Sequence, residues 1–544
     1  QVQLSIPRVL DVAGASISGT PVVEIGHTHG VAWTHTTSTA RRYTLFQLDL
    51  VPGRPTSYLV DGRAEPMTRR TLTVTARRAG GKLSRVTRTL YGSRYGPVLA
   101  TGWTTTTAFA IRDVNADNLR SMNEWLAMGK SQNLAQLRAA QDTYQGNPFT
   151  NTIATDAGGR AYFADASVVP HVTDAQAARC INSAEGKARY PDTFVLDGST
   201  SACNWGSDPG AVRRGIFAPN HLPRLIRTDY VANSNQSPWL TNPAAPITGH
   251  PAIFGDTGTE RELRTRLGLD MIARRLAGTD GLGRPRFTLP TLQATMLANR
   301  NYSAELGRAD VVAMCRAHPA LTASDGTRVD VRAACDTLAR WTGHANAGSR
   351  GEALWETFFQ APLTWLVPFD PAHPLTTPRG INGNDPDVQR ALADAVRLLR
   401  SNRTAARARR WAGITLPGCP AEKGCFNVIE ASEPITPPPR KPGRRQGQTG
   451  PQPSRIGTPA SARRQRPSRK PPGIFGSSFI MAVELTSQGP RARTILTHSQ
   501  SANPASPHYR DQTVLFASRH WVTERFTEAE INADPHLQTT TLHD

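Results

Sequence analysis

The chain has 544 residues, with 63 Lys+Arg against 43 Asp+Glu and a formal net charge of +20. Hydrophobic residues make up 38% and charged residues 19%, enough apolar content to bury a core, so a wholly disordered chain is excluded. No run of about 18 apolar residues occurs, which excludes an ordinary bilayer-spanning helix.

The chain opens Gln1-Val-Gln-Leu, inside what reads as a strand and with no signal-peptide pattern, so its beginning is expected to be missing. Residues 21–25 and 31–37 read as strands, and Tyr43–Val51 alternates apolar and polar positions with period two. Tyr58-Leu-Val leads into Asp61-Gly62, a hairpin signal. Residues 72–78 and 83–99 extend the β region. Residues 116–130 and 134–144 read as helices, the first with Leu119, Met122, Trp125 and Leu126 on one face. A hairpin is expected around Asp156-Ala-Gly-Gly159.

From 260 to about 410 the pattern is helical, with Leu263, Leu267, Met271, Ile272 and Leu276 at three- and four-residue spacing. Asn382-Gly-Asn-Asp-Pro-Asp lacks the spacing and closing Glu of a calcium loop and reads as a turn with a helix cap. Two β segments, 476–485 and 491–498, precede a polar tail. The expected organisation is an α+β fold: a β-rich core over 1–260, a helical region over 261–410, and the closing core strands within 411–544.

Half of the net charge sits in one place. Residues 436–473 hold ten Lys/Arg, ten Pro and no acid. Such a stretch cannot repay its ordering entropy, so a mobile loop is expected, either a solvated insertion or a tether for polyanions. The six cysteines fall into sequential pairs, 180–203, 315–335 and 419–425, with no zinc-type spacing. Pairing them in that order closes three short loops and implies an oxidising compartment, secreted or periplasmic; buried free thiols are the alternative.

The sequence has no Walker loop, no G-x-G-x-x-G opening a helix, no H-E-x-x-H and no G-x-S-x-G. What remains are polar clusters in otherwise apolar surroundings. Three of these segments, VAWTHTTSTARRYTLFQLDLVPGRPTSYLVDGRAEPM (31–67), NSNQSPWLTNP (233–243) and HSQSANPASPHYRDQ (498–512), carry a resemblance. The chain resembles the β-chain of the penicillin acylase family, on its branch of acyl-homoserine lactone and cyclic-lipopeptide acylases. The likeness runs from about Val2 to Asp534 and is broken mainly at 436–473.

The resemblance implies an αββα four-layer N-terminal nucleophile hydrolase fold, with a helical insertion and incomplete at its N-terminus. It implies hydrolysis of N-acyl amides through an acyl-enzyme on a Ser freed by self-cleavage, whose own α-amino group (pKa near ~7.7–8.0) serves as base. That Ser is expected roughly thirty residues ahead of Gln1, so residues 1–544 alone are expected to be inactive. The implied partners are an α-chain from the same precursor and a small N-acyl substrate.

Residue by residue, Asn235 matches the side-chain amide donor to the tetrahedral oxyanion and Thr37 the backbone N–H donor. Composition alone would make Asn235 an Asx-turn residue. Arg261 matches the Arg that orients the Asn, or else is a solvated helix-start Arg. His35 is expected to be a structural strand residue, not a base. Ile17, Ile25, Trp125 and Phe149 match the walls of the acyl cavity, with core packing as their alternative. Part of the family binds calcium, but Ser38 and Thr39 replace an expected carboxylate, so no cofactor is expected, with calcium as the alternative. The rival readings are a β-lactam acylase and a catalytically dead relative that binds polyanions through 436–473.

Overall fold

A computed structural model describes residues 1–17, 19–346, 349–404 and 477–541. The basic segment 436–473, Cys419, Cys425 and the expected boundary at 411 lie outside the described residues. The chain forms two compact units. The first comprises Gln1–Thr257 with Leu485–Pro490, and the second Gly258–Glu484 with Arg491–Asp544.

In the first unit the strands run β1 (Val2–Ile6), β2 (Leu10–Ala15), β3 (Ile25–His27), β4 (Val31–Thr37), β5 (Tyr43–Val51), β6 (Arg54–Val60) and β7 (Arg63–Pro66). They continue as β8 (Thr68–Arg77), β9 (Leu83–Ser93), β10 (Gly96–Pro97), β11 (Thr107–Asp113), β12 (Thr150–Asp156), β13 (Ala161–Ala164), β14 (Val195–Asp197) and β15 (Arg224–Arg227). One seven-stranded sheet has the order β1-β2-β3-β4-β12-β13-β15. A five-stranded sheet has the order β11-β5-β6-β7, with β14 parallel to β5, and β10-β9-β8 form a third.

The alternation in β5 works as its sequence demands: Phe46, Leu48 and Leu50 are buried on one face, while Leu45 is buried on the other with Phe109 and Val195. Asp61 and Gly62, both at positive φ, turn β6 into β7. The helices α1 (Ser121–Gly129) and α2 (Leu134–Tyr144) add Trp125, Met128 and Leu137 to a core that also holds Trp33, Phe46 and Tyr162. The shorter α3 (Asp174–Cys180) and α4 (Ala184–Arg189) follow, and a Cys180–Cys203 disulfide is formed.

The second unit is α5 (Leu263–Ala277), α6 (Leu289–Met296), α7 (Tyr302–Ala317), α8 (Arg332–Arg340), α9 (Glu352–Phe359) and α10 (Pro386–Thr404). Val311, Leu338, Trp355, Phe358, Val388 and Leu392 make its core, and Cys315–Cys335 joins α7 to α8. Asp385 accepts from the Asp387 N–H at the start of α10, the cap that the sequence suggested.

Several expectations need correction. Residues 21–24 are a turn, and the strand is Ile25–His27. The first helix starts at Ser121, because Asp113 accepts from the Asn115 N–H to close a turn and Asn115 and Asn118 donate to the Pro148 and Gly146 carbonyls. Its buried side is Glu124, Trp125, Met128 and Gly129, while Leu119 is 88% exposed. Along α5, Arg266 and Arg275 are fully buried, whereas Leu276 is exposed, because each guanidinium reaches the carbonyls of a neighbouring loop. Region 261–410 is not wholly helical: it holds two hairpins, β16 (Ala320–Thr322) with β17 (Arg328–Asp330) and β18 (Trp365–Val367) with β19 (Arg379–Ile381). After β20 (Phe479–Thr486) and β21 (Gly489–Leu496), the expected polar tail contains α11 (Asp511–Ala517), β22 (Val522–Thr523), which joins the β20-β21 sheet, and α12 (Glu528–Asn532). No helix among the described residues is long and apolar enough to cross a membrane.

Candidate functional site

The end of β4 is where sequence and geometry meet. Ser38 donates its N–H to the Phe149 carbonyl at 3.0 Å, continuing the β4–β12 ladder in which Thr37 stands opposite Thr150. Hydrogen-bonded pairs alternate in an antiparallel ladder, so the Thr37 N–H and C=O both turn away from β12. They face the side of β3, which ends its pairing with β4 at Trp33. On that side the Asn235 side chain donates Nδ2–H to the Thr37 carbonyl at 3.3 Å. The structure therefore brings the Thr37 peptide and the Asn235 amide together, two neutral donors on one exposed strand end.

Asn235 is held there by its neighbours. Its φ is +65°, a left-handed conformation that Asn tolerates better than most residues. Asn233 Oδ1 accepts from the Asn235 N–H (2.9 Å), the Thr36 hydroxyl (2.7 Å) and Asn151 Nδ2 (3.3 Å), while Asn233 Nδ2 donates to the Gln236 carbonyl. The Asx turn thus belongs to Asn233 and presents Asn235. Asn151 is fully buried and also donates to Thr36 (3.1 Å). Asn233, Asn151 and Thr36 were missed by sequence reasoning, although the Asn-Ser-Asn spacing is itself an Asx-turn signal.

The loop is braced from its far side. Ser237 donates to the Asp256 carbonyl and Thr39 to the Phe254 carbonyl. Gly255, at φ +120°, passes so close that a Cβ would lie 2.3 Å from Thr39 Oγ1 and 2.8 Å from Ser237 Cβ. Asn242 is fully buried and ties the loop's end to Asp229, whose carboxyl is held well below the usual range by the Arg227 hydrogen bonds.

His35, two residues before Thr37, is locked in one tautomer. The Trp125 indole donates to His35 Nε2 (3.1 Å), so the proton sits on Nδ1 and goes to the Asn151 carbonyl (3.0 Å). Burial pushes its pKa down to about 4. A neutral imidazole with both nitrogens engaged is no general base.

Of the expected wall residues, Phe149 (41% exposed) and Ile17 (57% exposed) stand open to solvent, and Ile25 is half-buried on β3. Trp125 is packed in the core against His35. Ser38 and Thr39, in place of the expected carboxylate, make ordinary hydrogen bonds: Ser38 donates to Asp165, which is fully buried near Arg42. No group of three His, Cys, Asp or Glu side chains that could hold a metal occurs among the described residues. Arg261 lies in the second unit, just before α5, where it is buried and donates to the Thr259 carbonyl (3.1 Å) and hydroxyl (2.6 Å).

Comparison with known proteins completes the description. The family described as penicillin amidase matches residues 1–533. An aculeacin-A acylase of Actinoplanes utahensis is 44% identical over 99% of this chain. An acyl-homoserine lactone acylase PvdQ of Pseudomonas fluorescens is 34% identical, also over 99% of it. The chain spans 66% of the length of each of these two relatives. A thermostable penicillin G acylase from Alcaligenes faecalis superposes with a TM-score of 0.59 at 17% identity, over 100% of this chain and 93% of that one, a likeness of fold.

Proposed function

The chain belongs to the penicillin amidase family, and on that premise we propose that it is the β-chain of an amidohydrolase that cleaves N-acyl amides. The observation that carries this reading is the convergence of the Thr37 peptide and the Asn235 amide at the open end of β4. In the proposed reaction a Ser placed ahead of Gln1 by the resemblance attacks the amide carbonyl, and its own α-amino group takes the proton. The carbonyl oxygen becomes an oxyanion and replaces the Thr37 carbonyl as acceptor for Asn235 Nδ2–H, with the Thr37 N–H as second donor. Collapse expels the amine, which leaves with the proton, and water then releases the acid from the acyl-enzyme.

Ile17, Ile25, Trp125 and Phe149 serve as the acyl-side walls in this proposal, and Arg261 keeps the orienting role that the resemblance implies. An α-chain from the same precursor is the proposed partner. The Cys180–Cys203 and Cys315–Cys335 disulfides support a secreted or periplasmic location.

Identity of 44% to the aculeacin-A acylase, against 34% to the lactone acylase, supports a substrate of the aculeacin-A kind, on the lipopeptide side of the branch that the resemblance implies, over an acyl-homoserine lactone. The test is amine release by the processed two-chain protein from a lipopeptide, a series of acyl-homoserine lactones and penicillin G. Cleavage of the lipopeptide with the highest kcat/KM is expected. Turnover of penicillin G alone would reassign the substrate, and no turnover with an intact N-terminal Ser would refute the hydrolase reading.

A further inference from the structure

The ribbon formed by β8 and β9 has properties that the proposed chemistry does not use. Between Thr68 and Ser93 the sequence contains seven Lys or Arg and no Asp or Glu. None of these seven makes an ion pair among the described residues. The strands pair in register from Thr68–Gly92 to Arg77–Leu83, a ribbon roughly 30 Å long. Residues of β8 are exposed along its whole length except for a half-buried Ala76.

Register divides the ribbon into two unlike faces. Leu72, Val74, Val86 and Leu90 form one face, with Arg70 and Arg88 beside them. Leu72, Val74 and Leu90 are 37%, 60% and 51% exposed. The opposite face is polar: five threonines, among them Thr73 and Thr87 whose hydroxyls share a hydrogen bond of 2.9 Å, alternate with Arg69, Arg85 and, at the tip, Arg77. The tip turns through Gly80 and Gly81, both at positive φ, and presents Arg77, Arg78, Lys82 and an exposed Leu83.

Cations on an edge strand commonly block unwanted strand pairing, and that would explain the arginines of β8. It does not explain an apolar stripe left open between them, which works against the same end. A nucleic acid would satisfy the charge but leave the stripe in water, and the stripe offers no aromatic ring for bases. A surface that is anionic and apolar at one depth satisfies both: guanidinium groups meet phosphates while Leu and Val enter the acyl boundary and the Thr face stays in water. We propose that the β8–β9 ribbon docks this protein onto an anionic lipid bilayer surface. The inference is independent of the acylase reading and holds or fails without it.

Co-sedimentation of the full chain, residues 436–473 included, with vesicles of phosphatidylcholine alone or mixed with phosphatidylglycerol is the test. The expected result is binding to the mixed vesicles only. Two variants then probe the ribbon: Arg77→Glu with Arg78→Glu and Lys82→Glu, and Leu72→Ser with Val74→Ser. Each is expected to weaken binding roughly tenfold or more, with unchanged thermal unfolding because every altered side chain is exposed. Three results would overturn the proposal. The chain could ignore the mixed vesicles. The ribbon variants could bind like the parent while deletion of 436–473 abolishes binding. The serine variant could bind fully while only the charge variant fails, with heparin held as well as vesicles, which would identify a general polyanion site.

Discussion

Both units must hold irregular backbone in place; amides do much of this in the first and guanidinium groups in the second, although Arg120 of the first unit also donates to the Tyr144 and Gln145 carbonyls. In the first, Asn115 donates to the Pro148 carbonyl, Asn118 to that of Gly146, and Asn147 both donates to the Thr150 carbonyl and accepts from its N–H. Asn233 does the same for the Asn235 loop. In the second unit, Arg266 donates to the carbonyls of Leu375 and Pro378, Arg275 to those of Gly283 and Arg284, and Arg308 to that of Leu338. An amide donates and accepts, so one side chain can close a turn locally without charge. A guanidinium only donates, so it must gather several carbonyls from distant residues, and its charge is costly to bury alone. Neutral closure suits a corner that the proposed function gives an oxyanion to hold by aimed dipoles, and charged closure suits loops that need only be fixed.

The sharpest way to break this contrast is Arg266→Met. The substitution keeps the volume of the stem but leaves two carbonyls without their donor in a buried site. A loss of about 3–5 kcal/mol in urea unfolding is expected, because each orphaned carbonyl costs about 1–3 kcal/mol and packing is disturbed as well. A loss under about 1 kcal/mol would mean that water replaces the guanidinium freely and that the brace is ornamental.

Asn235→Gly tests the other side. Glycine accepts the +65° φ without strain, so the fold should keep its stability while the amide donor disappears. In the processed enzyme kcat should fall about 10²–10³-fold, the range for removing one oxyanion donor. An unchanged kcat would remove Asn235 from the machinery. Asn233→Ala should act less selectively. It strips partners from Thr36, Asn151 and the Asn235 N–H, so stability should fall by about 1–3 kcal/mol together with activity. Full activity after that loss would show that Asn235 finds its place unaided.

How much of this was legible beforehand depends on whether a pattern was local. The alternation of Tyr43–Val51, the Asp61-Gly62 turn and the Cys180–Cys203 and Cys315–Cys335 pairs are short-range, and all appear in the structure. The α+β class followed from strand patterns at both ends around a helical middle, and the family from ordered motifs along the chain. The burial of Arg266 was illegible because its partners lie about a hundred residues away, and helical periodicity assigns Arg to solvent. The face of α1 failed for a related reason. Gly129 packs against Leu10 and Val12 of β2, and that contact, rather than the densest apolar stripe, sets the rotation of the helix. The roles of Asn151 and Asn233 could not be read in advance, because they depend on β12 and the 233–237 loop lying side by side.

Buried charge near this corner is paired, Asp165 with Arg42, and pH is the finest probe of whether Glu124 adds an unpaired one. Burial pushes Glu124 up to about 8, while its Oε2 accepts from the Gly146 (2.5 Å) and Asn147 (3.0 Å) N–H groups. The unfolded chain releases this proton near 4.5 and the folded one near 8, so the folded state holds more protons between those values and stability falls as pH rises through that window. His35 acts in the opposite sense. Its folded pKa of about 4 lies below the unfolded 6.5, so the unfolded state holds more protons and stability rises with pH from about 4 to 6.5. Each slope is bounded by about 1.4 kcal/mol per pH unit. From 4.5 to 6.5 they offset each other, and these two groups together should leave stability nearly flat there. Glu124→Gln removes one slope and keeps a neutral acceptor for the two N–H groups. Its unfolding free energy should then climb with pH up to 6.5, relative to the parent, and should not decline towards pH 8. Parallel pH profiles for parent and variant would mean that Glu124 is ionised in the folded protein, and that the first unit does bury an unpaired charge.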